Sequence, residues 1–379
     1  MRYCKKCIIP DTRPNGLFNA AGVCFPCASR EGEGSVNFDQ RYHELVSYVS
    51  ALARNRKRFS KWDCVIGVSG GKDSNRQALW VREKLGMSPL LVSVVYPQRQ
   101  VTKNGVDNLS SLSGHGFDLL TVCPSPVLSR RLVKEAFFRF GNWCKATEMA
   151  LFAGVPRVAI EKRIPIIFWG ENPGYFVGDT AVQGNSIWDG SRLVHSNTLA
   201  GGDLSWFREV TGSDKVLNMY MFPSSEELAQ AGVHTVFLGP AWRDFSTRVN
   251  SATALTLGLS LRDAPPSETG DVMGTSMLDE DWVIVNFLLK FYKFGFSRGT
   301  EYANELIRSG QISRDDGIYY AETYDEACDQ RYIESFCAYI GVSEPIFWEV
   351  VRKFANKDLF DCSAARPRKL FRPGYGLLK

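Results

Sequence analysis

The chain has 379 residues, of which 44% are hydrophobic and 23% charged, with 45 Lys plus Arg against 41 Asp plus Glu for a formal charge of +4. That balance excludes a strongly cationic nucleic-acid coat and an acidic solvating tail, and the length suits about two to three domains with a large core and no disulfide staples. No apolar run approaches the roughly 18 residues of a membrane span, and the start MRYCKKCIIP lacks an apolar signal core, so a cytoplasmic, reducing setting is expected.

Four of the ten cysteines lie in the first 27 residues: Cys4, Cys7, Cys24 and Cys27, spaced C-x2-C-x16-C-x2-C. Each short pair can grip one metal with two thiolates, and four thiolates with no open position predict a structural zinc site. Redox-active thiols are the other reading. Residues 1–34 are too poor in apolar side chains to form a core of their own. Residues 38–61 read as a helix, with Phe38, Tyr42, Leu45, Val46, Val49 and Leu52 near a 3.6 period. It ends in RNRKRFSK (54–61), which is either a solvated helix end suited to the dipole or an RNA or membrane patch. Residues 1–62 hold 11 basic and 5 acidic residues, 11 − 5 = +6, so the remainder totals −2. Four thiolates and Zn²⁺ would add −2 to the first segment, which weakens a nucleic-acid reading.

From residue 63 short, wholly apolar runs alternate with helical stretches. The runs CVIGV (64–68), LLVSVV (90–95), LLTVC (119–123) and IPIIFW (164–169) have the pattern of strands buried on both faces. Helices are expected at 74–86, at about 101–115, and in pieces over 126–163. The fold class expected is α/β, an open parallel sheet with helices on both faces. Residues 174–215, rich in Gly, Asp, Ser and Trp, read as a long insertion or active-site loop. After 225 the chain reads as mostly helical, with a capped start at SSEELAQAG (224–232) and helices in 281–296, 301–310, 325–340 and 344–355. The tail after 361 reads as an arm over the surface. The expected division is a zinc knuckle (1–34), a basic linker helix (35–62), an ATP-binding α/β domain (63–223) and a mainly helical region (224–379).

The first run leads straight into SGGKDS (69–74) and a helix, the arrangement of an anion cradle. Gly70 and Gly71 allow a tight turn that presents backbone N–H groups to phosphate oxygens, and the helix adds its positive end. Lys72 supplies a charge, Ser69 and Ser74 supply hydroxyls, and Asp73 binds Mg²⁺ or caps the helix. A Walker A loop is excluded because Ile66 stands where its first Gly belongs, and no GxGxxG is present. GENP (170–173) follows the fourth run, where open α/β sheets bind ligands. Glu171 and Asn172 are placed there to hold Mg²⁺ or a reacting amide, beside Gly170; a plain turn is the alternative. Lys145 either faces the site or is an ordinary helix lysine. Cys144, among polar neighbours, keeps open a sulfur-carrying role, and His195 is a substrate contact or a solvated loop residue.

SGGKDS after a buried strand resembles the pyrophosphate loop of the adenine-nucleotide α-hydrolases, or PP-loop superfamily. Together with MRYCKKCIIPDTRP, WGENPGY (169–175) and KFGFSRGTEYANELIRSGQISRDD (293–316), it resembles the N-acetyl sugar amidotransferase family of the WbpG/PseA type over most of the chain. The resemblance implies ATP-dependent conversion of an acetamido group on a UDP-linked sugar (acid) into an acetamidino group, in surface-polysaccharide (O-antigen) biosynthesis. ATP would activate the amide oxygen as an O-adenylyl imidate, and ammonia would displace AMP. Lys72, Asp73, Glu171 and Asn172 are then the expected catalytic residues; Ser69, Gly70, Gly71, Lys72, Asp73, Ser74 and Gly170 bind nucleotide. ATP, Mg²⁺ and structural Zn²⁺ are the expected cofactors. The cysteines and histidines show no glutaminase pattern, so ammonia is expected from partners resembling the two subunits of imidazole glycerol phosphate synthase. Trp242, Arg243 and Arg298 are substrate-contact candidates from their place in family-like segments. A tRNA-modifying adenylating enzyme, thiolating or amidating a base, is the alternative function. A non-catalytic zinc-bearing nucleic-acid module is a third, and SGGKDS argues against it.

Overall fold

The computed structural model describes residues 1–32, 36–53 and 60–378, so most of the basic run 54–61 lies outside the described residues. The N-terminal knuckle leads into α1 (Phe25–Gly32) and α2 (Phe38–Ala53). Then β1 (Cys64–Gly67), α3 (Lys72–Lys84), β2 (Pro89–Val94), α4 (Lys103–Gly114) and β3 (Asp118–Val122) alternate. Helices α5 (Pro126–Phe140) and α6 (Cys144–Glu161) precede β4 (Ile166–Trp169). The expected insertion contains α7 (Pro173–Val177), three single 3-10 turns, α8 (Ser205–Thr211) and the start of a fourth 3-10 turn (Asp214–Val216), with no strand. Then α9 (Ser225–Ala231), closed by the capping box of Ser224 and Glu227, leads to β5 (His234–Phe237).

The five strands form one parallel sheet in the order β3-β2-β1-β4-β5. Alternate residues turn to opposite faces, as a pleated strand requires. Cys64 and Ile66 pack with α2, α3 and α4 side chains such as Leu45, Ala78, Val81 and Leu112. Val65 and Ile167 pack with Val155, Val158 and Ala159 of α6. The α/β expectation with helices on both faces therefore holds. The fifth strand was not foreseen: residues after 225 read as helical, and HTVF is four residues of mixed polarity at the sheet edge. The expected boundary at 223/224 thus falls between the fourth and fifth strands of one sheet.

Beyond β5 come α10 (Thr247–Thr256), α11 (Pro266–Thr269), α12 (Val283–Phe294), α13 (Arg298–Arg308), α14 (Arg314–Tyr324), α15 (Gln330–Ile340) and α16 (Glu344–Phe354). This region shares its core with the α/β part. Leu132, Phe137 and Met149 from α5 and α6, with Trp143 from the turn between them, pack in one cluster with Val283, Leu288, Phe336 and Phe347. The tail forms two short hairpins, β6 (Phe360–Asp361) with β7 (Arg368–Lys369) and β8 (Phe371–Arg372) with β9 (Gly376–Leu377). Phe371 is buried against Phe291 and Phe360, so the arm is anchored by one aromatic. Among the described residues no helix is long and apolar enough to cross a membrane.

Candidate active site

The chain leaves β1 toward β2 and β3 on one side and returns to β4 on the other, so the carboxyl ends of β1 and β4 flank a topological switch point, where such sheets open a crevice. The glycine-rich loop follows β1 and Glu171 follows β4. Between them lies a cleft of about 460 Å³, with Ser69, Lys72, Asp73 and Ser74 on one wall and Glu171 and Arg298 on others.

The loop is built as an anion cradle. Gly70 adopts φ +78°, and a Cβ there would sit 2.6 Å from the Leu109 amide nitrogen of α4. Both the backbone conformation and the close approach demand glycine. Gly71 is the N-cap of α3 and offers no side-chain cap, so the first-turn N–H groups stay open to a ligand. The Ser74 hydroxyl accepts from Ser69 N at 3.2 Å, and Asn75 Nδ2 donates to Gly70 O at 2.9 Å and Gly71 O at 3.1 Å. These bonds hold the turn without using the helix's first donors. We expect Gly70→Ala to destabilise the fold by about 1–3 kcal/mol through strain. Chemical denaturation checks this; an unchanged unfolding midpoint contradicts the cradle geometry.

Lys72 is buried and its Nζ lies 2.8 Å from Asp73 Oδ2. The other Asp73 oxygen accepts from Asn250 Nδ2 at 2.6 Å, and Asn250 Oδ1 accepts from Arg76 at 2.6 Å. Arg76 pairs with Asp244 and lies over the Trp242 ring at 4.9 Å. Thus α10 fixes Asp73 through a relay the sequence did not reveal, because Asn250 and Asp73 are 177 positions apart. Burial pushes the Asp73 carboxyl up, but Lys72, Asn250 and Arg298 together hold it below the usual range. Glu171 behaves oppositely: burial, then the Asp73 charge, push it up to about 7 against Lys72 and Arg298. Burial likewise raises Glu148 to about 7 and Asp279 to about 6, and both line the cleft.

Arg298 donates Nε–H to Ser276 Oγ at 2.8 Å and lies 3.8 Å from Glu301. Glu301 also takes Lys290 at 2.6 Å and Arg13 at 2.8 Å. Burial opposes its charge, yet Lys290, Arg13 and Arg298 hold its carboxyl well below the usual range. Arg13 belongs to the knuckle, so the N-terminal module reaches the wall of the cleft. Phe152 and Trp169, 4.9 Å apart between ring centres, give the cleft an aromatic side.

Not every candidate converges here. Asn172 caps α7, accepting from Gly174 N at 3.0 Å and donating to Ile187 O at 3.4 Å, which is the turn role. Gly170 serves packing: a Cβ would lie 2.1 Å from Gln77 Nε2. Lys145 donates to Thr198 O at 3.1 Å and is not in the cleft lining; Glu148, a turn later on α6, is. Cys144 is 1% exposed within the hydrophobic core and lines no part of the cleft, which removes the basis for a sulfur-carrying role there. Trp242 lines a neighbouring cavity, and Arg243 is exposed, over the Phe38 ring.

The Sγ atoms of Cys4, Cys7, Cys24 and Cys27 all lie within 4.8 Å of one another, and all four residues are buried. Cys7 Sγ is 3.7 Å from Cys24 Sγ, and Cys4 Sγ accepts from Cys24 N at 3.3 Å and Lys6 N at 3.4 Å. Four buried thiols facing one point, with N–H donors on the sulfur, fit a thiolate-bound metal, either zinc or an iron–sulfur centre. The knuckle sits against α13 and α14: Ile8 N donates to Asn304 Oδ1 at 2.8 Å, and Ile8 packs on Ala303 and Ile318.

Sheet and loop together define an α/β protein with a glycine-rich, anion-cradling loop at the carboxyl end of its first strand. Residues 280–371 match the family model described as LPS biosynthesis protein WbpG-like, C-terminal domain. No curated protein matches the chain. Among solved structures it is similar to an NH3-dependent NAD synthetase from Campylobacter jejuni, at 10% identity and TM-score 0.31, over 61% of this chain and 100% of that one. It is similar to an NMN synthetase from Francisella tularensis at 15% identity and TM-score 0.29, over 59% and 85%. It is similar also to the U34-tRNA thiolase NcsA from Methanococcus maripaludis with its [4Fe-4S] cluster, at 14% and 0.32, over 82% and 87%.

Proposed function

We propose that the chain is an ATP-dependent amidotransferase that converts an acetamido group on a UDP-linked N-acetyl sugar into an acetamidino group, for surface-polysaccharide assembly. One observation carries this reading: the cleft that holds the phosphate loop is walled by Phe287, Arg298 and Glu301 from the WbpG-like segment. The adenylating half and the family-specific half thus meet on one space.

The chemistry needs an activated oxygen, because an amide oxygen is a very poor leaving group. The amide oxygen attacks the α-phosphorus of ATP and pyrophosphate departs. Ammonia adds to the former amide carbon, loses a proton, and AMP leaves with the original amide oxygen. Ser69, Gly70, Gly71 and Ser74 cradle the departing phosphates, and Lys72 offsets their charge. Phe152 and Trp169 offer faces for the adenine. Mg²⁺, when bound with the nucleotide, neutralises phosphate charge, and Asp73 and Glu171 are the carboxylates suited to hold it. Glu148, with its raised affinity for a proton, is suited to take the proton that ammonia loses. The near-contact sulfur spacing of the knuckle favours one tetrahedral zinc, whose bonds of about 2.3 Å set sulfurs about 3.8 Å apart. Ammonia comes from a separate glutaminase and its conducting subunit, and ATP use suits a cytoplasmic setting.

The test is incubation with ATP, Mg²⁺, ammonium and a panel of UDP-acetamido sugars, measuring pyrophosphate and AMP. Release that depends on one sugar is expected. Release that needs tRNA and ignores every sugar overturns the reading.

The raised Glu171 also has a consequence for stability. Its folded value near 7 exceeds the ordinary 4.5, so its contribution is full below pH 4.5 and is lost as pH rises through 7. We expect Glu171→Gln to stabilise the free protein more at pH 8 than at pH 5, by urea denaturation at both. Equal effects at the two values contradict the burial of that charge.

A further inference from the structure

A second cavity, of about 140 Å³ and open to solvent, lies beside the phosphate-loop cleft. The wall between the two is thin. Glu171 lines the cleft and the next residue, Asn172, lines the second cavity; Thr247 and Ser246 divide in the same way. On α13, Glu301 lines the cleft and Glu305, one turn on, lines the second cavity. Phe176 and Phe245 line both, edge to face with ring centres 5.5 Å apart.

The lining is cationic and aromatic. Arg41 donates to Pro240 O at 3.1 Å and lies over the Phe38 ring at 5.6 Å. Arg308 donates to Phe176 O at 3.3 Å. Among the described residues neither Arg41 nor Arg308 has a carboxylate partner, although both are half-buried. The acid in this lining, Glu305, has both oxygens engaged by Thr247, from N and from Oγ1, at 2.5 Å each. Trp242 is 5% exposed, and its indole N–H has no partner among the described residues. Two guanidinium groups with no counter-charge and a buried donor with no partner among the described residues, beside several ring faces, suit a ligand with phosphates and a planar base.

We propose that this cavity holds the nucleoside-diphosphate end of the acceptor. Arg41 and Arg308 engage the diphosphate, and the sugar's acetamido group enters the phosphate-loop cleft past Phe176 and Phe245. The assignment rests on the sugar-nucleotide reading above. It separates the two nucleotides by chemistry: backbone amides and Lys72 for ATP, guanidinium forks and rings for the acceptor.

The experiment measures binding of UDP and of ATP, separately, to the full chain by calorimetry. Wild type is expected to bind both. Arg308→Met and Arg41→Met are each expected to weaken UDP by about tenfold or more while ATP changes by less than about twofold. Because either variant could unsettle the wall, wild type is also photolabelled with an azido-uracil analogue of UDP. Label is expected on peptides containing Tyr175 or Trp242. UDP bound equally by variants and wild type, or label confined to peptides outside this lining, overturns the cavity assignment and leaves the amidotransferase reading intact. Failure of wild type to bind UDP at all overturns both. Loss in the variants of tRNA binding, with UDP ignored, overturns the assignment in favour of a nucleic-acid acceptor.

Discussion

Lys72→Ala is expected to leave the fold intact and to lower AMP formation by about 10²- to 10³-fold, the scale of removing one preorganised charge from a site where negative charge develops. Lys72 is buried at the first turn of α3, and its Nζ points to the cleft side where Asp73 Oδ2 lies 2.8 Å away. Its removal leaves Asp73 held by Asn250, so the loop keeps one of its two anchors. The helix loses nothing in propensity, since Ala is the best helix former. Steady-state AMP release and far-UV circular dichroism check the two halves of this statement. Turnover retained in a folded variant removes Lys72 from the chemistry.

The second large effect is at the knuckle. Freshly purified protein is expected to carry about one zinc per chain, and the double variant Cys4→Ser, Cys7→Ser to carry none. Structural zinc in isolated fingers contributes about 10–16 kcal/mol of apparent binding energy to folding. Here the knuckle also leans on the C-terminal helices, so part of that energy is coupled to the cleft. Ile8 bonds Asn304, Thr12 Oγ1 donates to Phe294 O at 2.5 Å, and Arg13 holds Glu301. Glu301 in turn neighbours Arg298. We therefore expect loss of metal to lower thermal stability and AMP formation together. Metal analysis and unfolding curves check this. A metal-free variant with full activity contradicts the coupling, and four iron atoms per chain would replace zinc with a cluster.

How much of this was legible in the sequence follows from the range of the signals. Runs such as CVIGV and LLVSVV are local and apolar on both faces, so the buried strands could be read directly. SGGKDS is also local, because strand, turn and helix N-terminus are consecutive. The cysteine spacing carried the knuckle for the same reason. HTVF did not announce itself: an edge strand of four residues, with His234 exposed and Thr235 half-buried, has no apolar run. Long-range placements were hidden. Nothing near Asn250 marks it as the partner of Asp73, and nothing in α6 says that Glu148, one turn beyond the more conspicuous Lys145, reaches the cleft. At Asn172 both readings were local. Its position after a strand end suggested chemistry, but an Asn before Pro-Gly is also a helix cap, and that is the bond it makes. Arg298, picked only for its place in a family-like segment, does line the cleft.

The central claim is that an acetamido oxygen is adenylated in the cleft shared by the phosphate loop and the WbpG-like helices. The most direct measurement places a heavy oxygen isotope in the acetamido group of the UDP-sugar, supplies ATP and ammonium, and reads the mass of the AMP formed. Transfer of the label into the phosphate of AMP, with an acetamidino sugar as co-product, is the predicted result. Unlabelled AMP, or AMP formation indifferent to the sugar, would contradict it.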